Sequence, residues 1–262
     1  MIIDISQWQE PSKINYDELA KQVDWVIIRT QYGSRVIDKH YQTHHREFQK
    51  RGIPTAAYAF VRGISVSDMA QEAKDFYNRT KELNPTFWFL DVEEQTMQDM
   101  RTGVSAFVKQ LREMGAKKVG IYIANHLYKP FNLNLSEADA VWIPHYGQDN
   151  GQVTSKPDYP CDIHQYTQKG KLPGYGGYLD LDRIISNKPL SYFTGKETEG
   201  NKEMGSIFKD VPDNHWAIKD IKWAKETGLM KGDGSGDFGL GKPVTREEIA
   251  VIMHRLADIL KK

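Results

Sequence analysis

The chain has 262 residues, 39% of them hydrophobic, with Lys+Arg and Asp+Glu balanced at 35 each. That length fits one large domain plus a small one, and a net charge of zero gives no support for nucleic acid or a polybasic membrane patch. The single cysteine, Cys161, excludes an intrachain disulfide, and no window approaches the ~18 apolar residues of a membrane span.

In chain order, short β-rich runs recur between polar spacers. Strands are predicted at 2–6, 25–30, 55–60, 87–93, 119–124, 140–146, 162–167 and 178–182. Four gaps predict helices, at 14–22, 38–51, 66–83 and 101–114. Asp38 is a candidate cap for the second, and Ser65 or Ser67 for the third. A weaker helix is expected around 125–138, while the last two gaps are rich in Gly, Pro and Asp and predict none. Five βα units followed by three strands argue a parallel sheet closed into a barrel that has lost its last helices. An open doubly wound sheet is the alternative, but SQWQEP at 6–11 has no glycine where such sheets place a phosphate-binding turn.

The stretch 191–206 is polar, charged and glycine-containing, and reads as a linker. Beyond it, 207–262 carries helical patterns at 215–227 and 245–260 around a glycine-rich loop, KGDGSGDFGLG, at 231–241. That loop lacks calcium-site spacing and reads as a turn. His40 and His44 have metal-compatible i, i+4 spacing but no third ligand, so a solvated helix face is expected. No metal or cofactor is expected.

The run FWFLDVE, 87–93, ends a buried-looking strand in acids. Alternation puts Asp91 and Glu93 on the face of Phe87 and Phe89. Asp4 ends the first strand and Asp180 the last, and the two are neighbours in a closed barrel. Crowded carboxylates at an apolar mouth raise one another's pKa, which makes a general acid at neutral pH. Trp8, Tyr32, Tyr58, Phe60, Tyr122, Trp142, Tyr146 and Tyr166 stand at or just past strand ends. Rings with acids suit a sugar chain: faces to stack on, and carboxyls to protonate a bridging oxygen.

DISQWQ at 4–9, GIPTAAYAF at 52–60, FLDVE at 89–93, GIYIA at 120–124, VWIPHYG at 141–147, HQYT at 164–167 and YLDLD at 178–182 together resemble glycoside hydrolase family 25. The resemblance spans about 1–190. It implies an α/β fold, an irregular TIM-like barrel of β5α5β3 type, and cleavage of the β-1,4 bond between N-acetylmuramic acid and N-acetylglucosamine. It also implies retention of configuration with the substrate's own acetamido group as nucleophile. Carried over, Glu93 is the general acid, Asp91 stabilises the charge beside it, and Asp4 and Asp180 complete the mouth. Gln165 joins the aromatic residues as a sugar contact. Asp182 stands where the family usually has Asn, on the same strand face as Asp180, and could share its role.

FKDVPDNHWAIKDIKWAKETGLMKG at 208–232 and PVTREEIAVIMHRL at 243–256 resemble an S-layer homology motif. That implies a small α-helical domain binding a secondary cell-wall polymer, with Asp210, Trp216 and Arg246 as the expected contacts. One copy of the motif suggests self-association or weak monovalent binding. The whole reads as a peptidoglycan muramidase tethered to the wall. The N-terminus shows no leader, so a cytoplasmic product released on lysis, as a phage endolysin is, is expected; a secreted autolysin is the alternative. The rival functions are an inactive wall-binding protein and a chitinase-type hydrolase.

Overall fold

A computed structural model describes residues 1–196, 208–212, 215 and 217–259 of the chain. The described residues divide into two compact units, the first Met1–Lys196 and the second beginning at 197.

The first unit is a closed barrel. Its strands are β1 Ile2–Ile5, β2 Trp25–Tyr32, β4 Thr55–Phe60, β5 Trp88–Val92, β6 Val119–Ile123, β7 Ala140–Pro144, β8 Ile163–Gly170 and β9 Leu179–Ile184, with a short β3 at Val36–Ile37. The order is β1-β9-β8-β7-β6-β5-β4-β2, closed by a parallel β1–β2 pairing, and β3 folds back antiparallel onto β2. β9 departs from the parallel expectation, being antiparallel to both β8 and β1. The connection from Gly170 to Leu179 is too short for a crossover, which needs a dozen or more residues. Asp180 therefore reaches the mouth from the start of its strand, not from a carboxyl end.

Helices fill the first gaps as the hydrophobic pattern requires. They are α1 Tyr16–Leu19, α2 Tyr41–Lys50, α3 Val66–Thr80 and α4 Met100–Met114. Ser65 caps α3 by accepting from the Asp68 N–H at 3.2 Å. Asp38 does not cap α2; its carboxylate is taken by Arg29 and by the Gln7 N–H. The weak helix expected at 125–138 shrinks to α5, Tyr128–Phe131, flanked by 3-10 turns, because Asn132 turns left-handed at φ 42°. His44 and His45 are not on a solvated face. Both are fully buried, with Nδ1 atoms 2.7 Å from the Tyr16 and Thr55 hydroxyls.

Strand alternation sorts side chains into two layers. Outward residues such as Ala57, Leu90 and Ile121 pack under Phe76 of α3 and Phe107 of α4. Inward residues Trp25, Ile27, Phe87, Phe89 and Trp142 fill the barrel. Gly120 is inward too: a Cβ there would lie 2.1 Å from Phe89, so the ring occupies its space. The end of the barrel away from the mouth is sealed by α6, Leu190–Thr194. Its Phe193 is fully buried and meets Trp25 at 5.5 Å and Phe87 at 5.6 Å. The expected linker thus begins too early. Residues 191–196 belong to the barrel, because Phe193 and Tyr192 supply an apolar face that the polar composition of the wider stretch obscured.

In the second unit, α7 Ile218–Glu226 packs on Phe208 and Val211, with Phe238 and Leu240 of the glycine-rich loop against them. α8 is Arg246–Ile259.

Candidate active site

The apolar run of β5 carries its alternation into the acids. Phe87 and Phe89 lie inside the barrel, and Asp91 continues that face at 6% exposure. Glu93 follows just beyond the strand end, where its side chain reaches solvent at the rim. Asp91 is paired in register with Phe60 on one side and Tyr122 on the other. Its Oδ1 has no hydrogen-bond partner among the described residues. Burial, then the Glu93 charge, pushes the Asp91 carboxyl well above the usual carboxylate range. Burial also raises Glu93, while its contact with Asp91 opposes the rise. The two carboxyls therefore stand as a pair able to share one proton.

Across the mouth, Asp4 of β1 faces Asp180 of β9 in register. Asp4 is buried and accepts from Gln165 Nε2 at 2.6 Å; the Tyr122 and Tyr146 hydroxyls donate to Gln165 Oε1 at 2.9 and 2.8 Å. Burial, then Asp180 and Asp182, raises Asp4. Burial, then Asp149 and Glu93, raises Asp180 to about 7. Asp182 lies one layer deeper, opposite Ile2, at 1% exposure. Its Oδ1 accepts from Trp142 Nε1 at 2.8 Å and its Oδ2 is unpartnered among the described residues. Asp180 rather than Asp182 is thus the β9 acid that faces Glu93, and Asp182 forms part of the floor.

The expected rings divide three ways. Trp8 is 72% exposed, while Tyr32 and Phe60 stack at 4.5 Å on the rim, so these offer faces to a ligand. Tyr146 is half-buried and Tyr122 buried beside Gln165. Tyr58 and Trp142 are buried, with ring centroids 6.2 Å apart, and make the floor rather than a stacking surface. Tyr166 is not at the mouth. It packs outward with Ile3, Ile5 and Leu181, because its neighbour Gln165 takes the inward position.

Residues that the sequence reading missed complete the site. Arg29 faces inward after Trp25 and Ile27, and its Nε donates to both oxygens of Asp38 at 3.1 and 3.0 Å. The signal was legible: a charge on the inward face of WVIIR. Arg62 lies over the Tyr32 ring and pairs with Glu94 at 2.6 Å on the rim.

The C-terminal expectations fare differently. Asp210 accepts backbone N–H groups from Phe238, Gly239 and Leu240 at 2.7, 2.8 and 2.8 Å. Desolvation opposes these bonds, but together they hold its carboxyl below the usual range. Asp210 thus anchors the glycine-rich loop. Trp216 lies outside the described residues. Arg246 is exposed at the start of α8 and does not line the neighbouring cleft of about 520 Å³, whose charged residues are Lys231, Asp233, Lys242, Glu247, Glu248 and Arg255.

Known proteins match both units. The family model for Glycosyl hydrolases family 25 covers residues 3–175, and that for the S-layer homology domain covers 207–250. The chain is similar to the solved structure of GHIP, a glycosyl hydrolase 25 of Streptococcus pneumoniae. Identity is 38% over 75% of this chain and 93% of that one, with a TM-score of 0.72. It is also similar to the catalytic domain of endolysin ply40 from bacteriophage P40 of Listeria monocytogenes. There identity is 29% over 71% of this chain and 93% of that one, with a TM-score of 0.67. The C-terminal region is 40% identical over 55 residues to the S-layer protein sap of Bacillus anthracis, covering 21% of this chain. The chain spans only 7% of the length of that curated relative. With its acid-lined barrel and the match across most of its length, the chain belongs to glycosyl hydrolases family 25 and is a glycoside hydrolase.

Proposed function

We propose that the chain is a peptidoglycan muramidase cleaving the β-1,4 bond between N-acetylmuramic acid and N-acetylglucosamine, held at the cell wall by its C-terminal unit. The Asp91–Glu93 pair at the end of β5 carries this reading: one carboxyl nearly buried, one at the rim, able to share a proton. Glu93, nearer to solvent and substrate, gives its proton to the bridging oxygen as the bond breaks. Asp91, ionised, faces the positive charge that develops at the anomeric centre and its acetamido neighbour. Asp4 and Asp180 add negative potential on the opposite wall, and Gln165, fixed by two tyrosines, keeps Asp4 aimed inward. Trp8 and the Tyr32–Phe60 stack supply ring faces for the glycan to lie against.

The similarity to a phage endolysin's catalytic domain supports action on bacterial walls, with release by lysis as the route. The S-layer homology match supports the tether.

Turbidity loss of purified Gram-positive walls, with muropeptides read by mass spectrometry after borohydride reduction, tests the proposal. Muramic reducing ends from the wild type, and none from Glu93→Gln, are expected. Glucosamine reducing ends would overturn the bond assignment. Wall binding by both proteins with no release would leave only a binding protein.

A further inference from the structure

Of the Phe, Tyr and Trp residues described in the barrel unit, only Trp8 at 72% and Tyr178 at 56% are more than half exposed. An exposed ring on its own says little, since apolar atoms make up much of any protein surface. The placement of these two says more. Trp8 stands on the connection after β1 and Tyr178 on the connection between β8 and β9, so both rise on the mouth side, from neighbouring strands. At the sealed end the rings of Trp25 and Phe193 are fully buried.

The β8–β9 hairpin is a fixed wall. Its tip packs on the connection that carries Trp8: the Asn15 N–H donates to the Gly174 carbonyl at 2.8 Å, and Ile14 bridges to Tyr175. Gly174 has φ 96°, and a Cβ there would lie 2.5 Å from the Leu19 nitrogen, so the close approach needs glycine. Tyr178 comes two residues before Asp180. Leu179 between them is buried in the outer layer with Ile3 and Ile5, so alternation puts Tyr178 on the side of Asp180, above the acids. Lys171 lies over the Tyr178 ring, its Nζ 4.5 Å from the centroid, and donates to the Gly176 carbonyl at 3.4 Å. Other rim cations are spent on carboxylates: Lys169 pairs with Asp149 at 3.2 Å, and Arg62 with Glu94. Among the described residues Lys171 pairs with none.

We propose that Tyr178 and Lys171 form a substrate subsite for an acid-bearing sugar, the ring taking the sugar face and the ammonium taking a carboxylate on its side arm. On the muramidase reading, every second sugar carries a lactyl arm, which ends in a carboxylate or is extended by a peptide with carboxylates of its own. The mouth, lined by Asp4, Asp91, Glu93 and Asp180, repels such an arm. A cation left free on the β8–β9 side draws it outward, which sets the register of the strand and tells it from a neutral N-acetylglucosamine polymer. This inference rests on the muramidase reading.

The test is kcat and KM for release of reducing ends by the full chain, on soluble peptidoglycan strands and on the same strands stripped of peptide by an amidase. Both residues are exposed, so their variants are expected to fold, which Tm checks. Loss of a stacked ring costs about two- to tenfold in affinity. Tyr178→Ala is therefore expected to raise KM by that factor with kcat little changed, and Tyr178→Phe, which keeps the ring, to recover most of it. Lys171→Gln is expected to raise KM about two- to fivefold at low salt, an effect that Lys171→Arg reverses and ~0.5 M salt removes. A Lys171→Gln effect confined to intact strands assigns the carboxylate to the peptide; one confined to stripped strands assigns it to the lactyl arm; one on both means that the acid of either arm reaches Lys171. An unchanged KM on both substrates in either Tyr178→Ala or Lys171→Gln overturns the proposal. A wild type that releases no muramic reducing ends, run alongside, would instead remove the reading beneath it.

Discussion

The two ends of the barrel are built from the same residue types to opposite purposes. At the sealed end, Trp25, Phe87, Phe89 and Phe193 meet ring to ring, and Trp25 Nε1 donates to Thr86 at 3.0 Å. At the mouth, Tyr58, Tyr122 and Trp142 are packed as tightly, but Asp182 lies among them and Asp4, Asp91, Glu93 and Asp180 stand above, with too few donors. Asp91 and Asp182 each keep an oxygen that nothing satisfies among the described residues. Burying polar groups without partners costs stability, and such costs persist where the chemistry needs them. One end lowers the free energy of the fold; the other gives part of it up to hold carboxyls poised.

If that contrast is right, substitutions at the mouth lose activity and keep or gain stability, while those at the sealed end do the reverse. The largest effect is Glu93→Gln, expected to lower kcat about 10²–10⁴-fold without lowering Tm, measured by reducing-end release and calorimetry. A loss of Tm matching the loss of rate would break the contrast. Next is Phe193→Ala, expected to cost about 3–5 kcal/mol in denaturant unfolding of the barrel, with kcat per folded molecule unchanged. Near-neutral unfolding would return α6 to the linker. Gly120→Ala drives a methyl against Phe89 between the two ends, and is expected to cost about 1–3 kcal/mol. A wild-type midpoint would mean that Phe89 has room to move.

The last effect is in the pH dependence of Tm. Asp180 is raised to about 7 in the fold, above the ~4 of an unfolded aspartate. Its contribution is therefore fully present below about pH 4 and lost as pH rises through about 7. Asp180→Asn should raise Tm at about pH 8 and leave it unchanged at about pH 4. His44 and His45 have the opposite sign. Burial, then a neighbouring histidine, lowers them to about 4 and about 3. Their contribution is present above about pH 6.5 and lost as pH falls through those values, so His45→Gln should flatten the acid side of the curve.

Asp210 sharpens the same lesson from the second unit. Like Asp91, it stands two residues after a phenylalanine, and both read as functional acids. Three backbone N–H groups converge on Asp210, whereas Asp91 has an oxygen with none. The donors of Asp210 come from residues 238–240, across the glycine-rich loop, and only the folded chain brings them there.

Much of the molecule was nonetheless legible in the sequence. Alternation along FWFLDVE assigned Phe87, Phe89 and Asp91 to one inward face, and β1 and β9 do bring Asp4 and Asp180 together. Periodicity located α2, α3 and α4 to within a few residues. Those are short-range properties: the period of a strand or helix dictates which side chains share a face, whatever lies opposite. The direction of β9, the outward turn of Tyr166, the plug made by Phe193 and the hold of Asp38 on Arg29 were decided by tertiary structure. Each depends on which element closes against which, and on which buried polar atoms then find a partner. A periodic pattern carries a side chain's direction but not the identity of what it meets.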